Sequence, residues 1–330
     1  MNAIALDEAS LAARLERLDA LKTTIARSVI GQAEVIEQLL IALLAGGHCL
    51  LEGVPGLGKT LLIRSLGQAL KLDFHRIQFT PDLMPSDILG TEVLEEDHGT
   101  GRRVFKFQPG PVFTHLLLAD ELNRTPPKTQ AALLEAMQER TVSTAGQTFD
   151  LPKPFFVLAT QNPLEQAGTY PLPEAQLDRF LLYIRVDYPS LDEEIAILDL
   201  TTGRSGETPP AVMEANELIE LQALTREVHI APELTRWIAR LVRATRPGAD
   251  APERVNQALR FGAGPRAGQS LALAAKARAL LQGRLAVTRE DIRALAKPVL
   301  RHRLLLSFAA EAEGRSTDWV VDGVLDAVSV

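Results

Sequence analysis

Gly53-Val54-Pro55-Gly56-Leu57-Gly58-Lys59-Thr60 follows the apolar run His48-Cys49-Leu50-Leu51 and precedes Leu61-Leu62-Ile63-Arg64-Ser65-Leu66. The octapeptide therefore joins a strand to a helix. Its glycines let successive backbone N–H groups curl around an anion, and the helix start adds the positive end of its dipole. Lys59 supplies a point charge and Thr60 a hydroxyl for Mg²⁺, so the segment reads as a loop for the β- and γ-phosphates of a nucleotide.

Groups that could act on such a phosphate follow further along the chain. Leu116-Leu117-Leu118-Ala119-Asp120-Glu121 is an apolar strand ending in two acids, and strand ends are where an open α/β sheet presents ligand groups. Asp120 is expected to hold Mg²⁺ and Glu121 to polarise the attacking water. A second buried run, Phe156-Val157-Leu158-Ala159-Thr160, ends in Gln161-Asn162-Pro163. It places Asn162, a neutral hydrogen-bonding amide, where it can orient that water or touch the γ-phosphate. Two arginines, Arg179 in Leu177-Asp178-Arg179-Phe180 and Arg266 in Gly264-Pro265-Arg266, could stabilise transition-state charge. Their geometry is not readable at this level, and each could equally be a surface ion-pair residue.

Short apolar runs alternating with helical patterns signal a parallel sheet covered on both faces. Five core strands are expected at 48–53, 74–80, 115–120, 155–160 and 180–186, with helices near 60–70, 129–140 and 177–179. Two stretches read as β-hairpins: 91–107, with its turn at His98-Gly99-Thr100-Gly101, and 141–149, turning around Ala145-Gly146. From Leu191 onward the pattern is helical, broken at 203–210, 247–252 and 262–265. Thr288 and Asp291 resemble a capping box opening a helix through Leu295, which Pro298 is expected to stop or bend. The expected organisation is an N-terminal helical segment at 1–28, an α/β core at 29–189 and a helical lid at 190–330.

The 330 residues suit about two domains, and 46% apolar residues suffice for a core. A net charge of −7 speaks against non-specific binding to nucleic acid or an anionic membrane. The first hairpin lacks a basic excess and the second has neither Lys nor Arg, which further disfavours a nucleic-acid motor. Cys49 is single and expected as a small buried hydrophobe; the six histidines are scattered with no two at ligand spacing. With no signal-peptide pattern and no apolar run of membrane-spanning length, the cytoplasm is expected. A nucleotide-gated scaffold without turnover stands as a further alternative, disfavoured by the presence of Glu121 and Asn162.

The order of these motifs resembles an AAA+ ATPase, and within that group the MoxR family. The resemblance is carried by Ala119-Asp120-Glu121-Leu122-Asn123-Arg124, Pro126-Pro127-Lys128-Thr129-Gln130, Gly168-Thr169-Tyr170-Pro171-Leu172-Pro173-Glu174 through Arg179-Phe180, and Val299-Leu300-Arg301-His302-Arg303. It spans roughly residues 25 to 310. It implies a three-layer αβα P-loop NTPase core with a parallel five-stranded sheet, followed by an all-helical lid. Residues 53–60 would be Walker A, Asp120 and Glu121 Walker B, and Asn162 sensor 1. Arg179 would be a finger entering a neighbouring subunit, and Arg266 sensor 2. The implied nucleotide-binding set is Val29, Ile30, Gly53, Pro55, Gly56, Leu57, Gly58, Lys59, Thr60, Leu61 and Asp120, with Thr60 and Asp120 on Mg²⁺. The two hairpins resemble inserts that face a central pore. The family implies ATP and Mg²⁺, a homo-oligomeric ring of six, and a chaperone-like action on protein clients. It also implies partners with von Willebrand factor A domains and roles in metal cofactor insertion. Thr125 and Gly264 depart from the family's more frequent Ala and Ser.

Overall fold

The computed structural model describes residues 8–54, 56–96, 103–144, 146–162, 168–202 and 209–329. Pro55, the hairpin turn at 98–101, Ala145, Pro163 and residues 203–208, each given a reading above, lie outside them. The strands of the first half are β1 (Cys49–Glu52), β2 (Phe74–Gln78), β3 (Gly90–Glu96), β4 (Arg103–Pro109), β5 (Leu116–Asp120), β6 (Thr141–Thr144), β7 (Gln147–Asp150), β8 (Phe156–Gln161) and β9 (Leu182–Arg185). Five of them form one parallel sheet in the order β2-β5-β8-β1-β9.

Strand residues alternate between faces, and the burial pattern follows that period of two. Leu116, Leu118, Phe156, Leu158, Cys49 and Leu51 enter one apolar cluster, whereas Leu117, Ala119, Val157, Ala159 and Leu50 enter another on the opposite face. Helices α1 (Glu8–Ser28), α2 (Ala33–Ala45) and α3 (Lys59–Ala69) cover the first face through residues such as Leu21, Leu40, Leu44, Ile63 and Leu66. Beyond the short helix α4 (Pro85–Leu89), α5 (Pro127–Glu139) covers the second face with Leu133, Leu134 and Met137. β1, β5 and β8 are buried on both faces and read as continuous apolar runs, whereas the edge strand β2 buries mainly Ile77.

Two antiparallel hairpins, β3–β4 and β6–β7, project from this core. Phe107 of the first stacks on Phe149 of the second at 4.4 Å between centroids and 20° between planes. The short helix expected at 177–179 lies one turn earlier, as α6 (Glu174–Leu177). Pro173, with φ at −58°, starts the turn there, leaving Asp178 and Arg179 in the exit.

The second half holds α7 (Leu191–Thr202), α8 (Ala215–Glu227), α9 (Pro232–Ala244), α10 (Glu253–Ala258), α11 (Pro265–Leu281), α12 (Arg289–Leu300), α13 (Phe308–Ala312) and α14 (Thr317–Ala327). It is not all-helical: β10 (Leu259–Phe261) and β11 (Leu305–Leu306) pair antiparallel. Strands of two and three residues are too short to leave a period-two pattern. The capping box opening α12 is present, with Thr288 N donating to Asp291 Oδ2 at 2.8 Å. Pro298, however, does not stop this helix, which continues to Leu300. Burial of Val299 and Leu300 outweighs the one backbone hydrogen bond that proline forfeits. Leu271, Leu280, Trp237, Ile292 and Val320 join the cluster that covers the first sheet face, so these helices share its core. Among the described residues no helix is long and apolar enough to cross a membrane.

His48 sits just before β1, fully buried. Its Nδ1 accepts from Val157 N at 3.0 Å and its Nε2 donates to Met137 O at 3.2 Å. Burial is the main cause that pushes its pKa down to about 4, so the ring is neutral in the fold. The unfolded chain takes up this proton below the ordinary value of 6.5, and the folded chain resists it. His48 therefore leaves stability intact above that pH and removes up to about 3 kcal/mol as the pH falls through the window to 4. Denaturant unfolding across this range should show the decline, and His48→Gln should show a shallower one. Phe156→Ala, in the sheet centre, should cost about 3–5 kcal/mol in the same measurement, whereas Phe105→Ala, on the exposed hairpin, should stay within about 0.5 kcal/mol.

Candidate active site

β1 delivers the chain to Gly53, where a Cβ would come within 2.9 Å of Val186 Cβ and 3.0 Å of its carbonyl oxygen. Only glycine allows that approach. Gly56 and Gly58 then take φ of 89° and 70°, the left-handed region that turns the loop into the first residue of α3, Lys59. The Lys59 ammonium donates to the Gly53 carbonyl across the loop. Burial lowers the Lys59 pKa, and the carboxylates of Asp120, Glu121 and Glu52 pull it back towards the charged form. Gln32 Nε2 donates to Leu57 O at 2.6 Å and so ties the 29–32 segment, with Val29 buried and Ile30 half-buried, to the outside of the loop.

Asp120 and Glu121 end β5 at the same sheet edge. Thr160, near the end of the neighbouring β8, donates its hydroxyl to Asp120 Oδ1 at 2.6 Å and accepts the Glu121 N–H at 2.9 Å. That bond supports the left-handed backbone of Glu121, with φ 57° and ψ 48°. Asp120 Oδ2 accepts from Arg76 Nη2 at 2.7 Å, and Glu121 Oε2 from Gln78 Nε2 at 2.6 Å and Arg124 Nη1 at 2.8 Å.

A cavity of about 280 Å³ opens here. Gly56, Gly58, Lys59, Thr60, Leu61, Asp120, Glu121 and Asn162 of the expected set line it, with Asn162 buried. Arg76, Gln78 and Thr160 line it too, and sequence reasoning assigned them no role. Arg76 and Gln78 alternate along β2, a pattern indistinguishable in sequence from a solvated strand face.

Arg179 and Arg266 lie elsewhere. They line a second cavity of about 150 Å³ with Gly47, His48, Asp178 and Arg303, and no residue lines both. Arg266 Nη1 is 3.7 Å from Asp178 Oδ2, and buried Arg303 donates from Nε to Asp178 Oδ1 at 2.7 Å. The β1–β9 register sets the separation. Leu181 N donates to His48 O at the start of β1, and Val186 N donates to Glu52 O at its end. Cys49–Glu52 and their flanking residues intervene, at about 3.3 Å per residue. The expected catalytic residues are thus divided, with Glu121 and Asn162 at the carboxyl edge of the sheet and Arg179 and Arg266 at the amino edge.

Residues 48–182 match the family described as ATPases associated with various cellular activities, and residues 251–323 match the AAA lid domain. The chain is 43% identical over 324 residues to Chaperone MoxR1 of Mycobacterium tuberculosis, covering 97% of this chain and 84% of that protein. Protein MoxR of Paracoccus denitrificans is 36% identical, with 86% and 87% covered. The crystal structure of a putative ATPase from Cytophaga hutchinsonii superposes with a TM-score of 0.89 at 40% identity, covering 98% of this chain and 97% of that one. A phosphate-loop core, a lid and full-length similarity of this kind place the chain in the MoxR family of AAA+ ATPases.

Proposed function

We propose that this protein hydrolyses ATP, with Mg²⁺, at sites completed between subunits of a homo-oligomeric ring, and uses the turnover to remodel protein clients. One observation carries the reading: Arg179 and Arg266 stand at the opposite sheet edge from Lys59, Asp120 and Glu121. An arginine fixed there cannot reach phosphates held by its own Lys59. A second copy, presenting its amino edge to the first copy's carboxyl edge, can supply both. Repetition of such a head-to-tail contact closes into a ring, and six subunits is the family's number.

The donor set fits a magnesium nucleotide. Two left-handed glycines, a lysine held against the loop, the Thr60 hydroxyl and a carboxylate pair face one cavity. The 53–60 amides and Lys59 would hold the β- and γ-phosphates, and 29–30 the base. Thr60 and Asp120 would hold the metal, whose charge offsets that on the phosphates. Asp120 now pairs with Arg76, and that contact must loosen for its carboxylate to turn to the metal's water. Glu121 would take a proton from the attacking water, while Gln78 and Arg124 hold its carboxylate in position. Asn162 would orient the same water, and the neighbour's Arg179 and Arg266 would stabilise the developing charge.

The chain divides in this reading into 1–28, a core at 29–189 and a lid at 190–330. The two hairpins would line the pore, and the Phe107–Phe149 stack makes them one mechanical unit. The similarity to a protein called a chaperone supports a protein client. Partners with von Willebrand factor A domains, metal cofactor insertion and a cytoplasmic location extend the proposal by family analogy.

Glu121→Gln should retain nucleotide binding while turnover falls at least about a hundredfold. Arg179→Ala should lose roughly 10³-fold or more. Mixing Arg179→Ala with Lys59→Ala subunits should recover part of the activity at mixed interfaces. An absence of recovery in assembled mixtures contradicts a finger supplied in trans.

A further inference from the structure

The turn Arg301–Arg303, which follows α12, carries an arginine into the interior at the amino edge of the sheet. The Arg303 side chain is 2% exposed, against 49% for Arg266. A guanidinium has five N–H donors and a charge that burial penalises, so it stays inside only where donors and charge are matched. Here the whole fork is met. Nε donates to Asp178 Oδ1 at 2.7 Å, and Nη1 donates to Leu181 O at 3.4 Å and to Val299 O. Nη2 donates to Phe180 O at 2.7 Å, to Ser270 Oγ at 3.1 Å and to Asp178 O at 3.3 Å.

These partners lie on the segments that carry the two arginines assigned to a neighbour's phosphates. Asp178, Phe180 and Leu181 bracket Arg179, and Ser270 stands one turn beyond Arg266 on α11, at the i, i+4 spacing of one helix face. Asp178 completes the connection, since its other oxygen, Oδ2, is 3.7 Å from Arg266 Nη1. A single cavity of about 150 Å³ is lined by Asp178, Arg179, Arg266, Ser270 and Arg303. Replacing a buried ion pair by packed apolar side chains is often neutral for stability. What the guanidinium adds is direction, because it grips a loop and a helix at fixed angles.

We propose that Arg303 is a positioning residue for the reaction at the neighbouring site, holding Arg179 and Arg266 in one geometry from behind, with Asp178 the link between them. The proposal rests on the trans-supplied arginines above and names the groups that set their geometry. Arg303 is itself enclosed, so it acts through the two arginines nearer the surface. A displacement of about 1 Å in a group that must meet a transition state costs on the order of a hundredfold in rate. A lysine at this place keeps the charge, but a compact ammonium with three donors cannot hold the loop carbonyls and Ser270 together. The fault leaves the subunit's own phosphate loop intact and appears at the next subunit's site.

The test uses full-length subunits, alone and in mixtures, read by ATP turnover and by binding of a fluorescent ADP with magnesium. Arg303→Lys should lower kcat about a hundredfold, while its own loop binds ADP within about twofold of the wild-type Kd. Asp178→Asn keeps an acceptor for Arg303 but loses the charge facing Arg266, and should lower kcat about tenfold. Arg303→Lys mixed with Lys59→Ala subunits should recover activity, because each supplies the edge that the other lacks. Arg303→Lys mixed with Arg179→Ala should recover none, because both lack a working amino edge. A merely structural role for Arg303 would instead damage its own subunit and fail with every partner. Wild-type kcat in either variant, no recovery with Lys59→Ala, or recovery with Arg179→Ala overturns the proposal, provided Arg179→Ala and Lys59→Ala subunits complement each other. Failure of that last pairing overturns the parent reading instead. Should Arg303→Lys show no cooperative unfolding transition, Asp178→Asn takes its place in each mixture with the same outcomes.

Discussion

Parallel pairing of β1 with β9 is the constraint on which the rest depends. In a parallel pair both strands begin at one edge and end at the other, so residues that follow a strand never share an edge with residues that precede one. Gly53 follows β1 and Arg179 precedes β9. Backbone hydrogen bonds from Leu181 to His48 and from Val186 to Glu52 clamp the two ends. The length of the β1–β9 pairing holds the two ends apart, and β1 is packed between the apolar clusters of both faces. The cavity lined by Lys59, Asp120 and Glu121 and the cavity lined by Arg179 and Arg266 therefore lie at opposite edges of the sheet.

Around the carboxyl edge, the polar groups are mutually satisfied without a ligand. Thr160 bridges Asp120 and the Glu121 backbone, Arg76 pairs with Asp120, and Gln78 and Arg124 hold Glu121. At the amino edge, Asp178 is shared by Arg303 and Arg266, which links the strand leading into β9 to α11 of the lid. Arg301 extends that linkage by bonding to Asp318 and to the Tyr183 carbonyl. These bonds tie the second half of the chain to β9, which pairs with β1.

Much of this was legible from residue order. All five core strands lie within a residue or two of the expected spans; in β1, β5 and β8 burial on both faces writes a continuous apolar pattern, whereas the exposed edge strand β2 does not. Strand ends carrying Asp120-Glu121 and Gln161-Asn162 pointed to the same edge as the glycine loop for the reason given above. The position of Arg266 was not legible, since it depends on how lid helices separated by loops pack on the core. Nor were Arg76 and Gln78, whose alternation in β2 looks like a wetted surface. The helix runs past Pro298 to Leu300 because local propensity is weaker than the burial of Val299 and Leu300, and β10–β11 is too short to announce itself.

The central claim is that one protomer cannot complete its own site. Turnover per protomer, measured across a wide range of protein concentration at saturating magnesium ATP, tests it most directly. The specific rate should rise with concentration and level off where assembly is complete. A specific rate that stays constant down to concentrations at which the chain sediments as a monomer would contradict it.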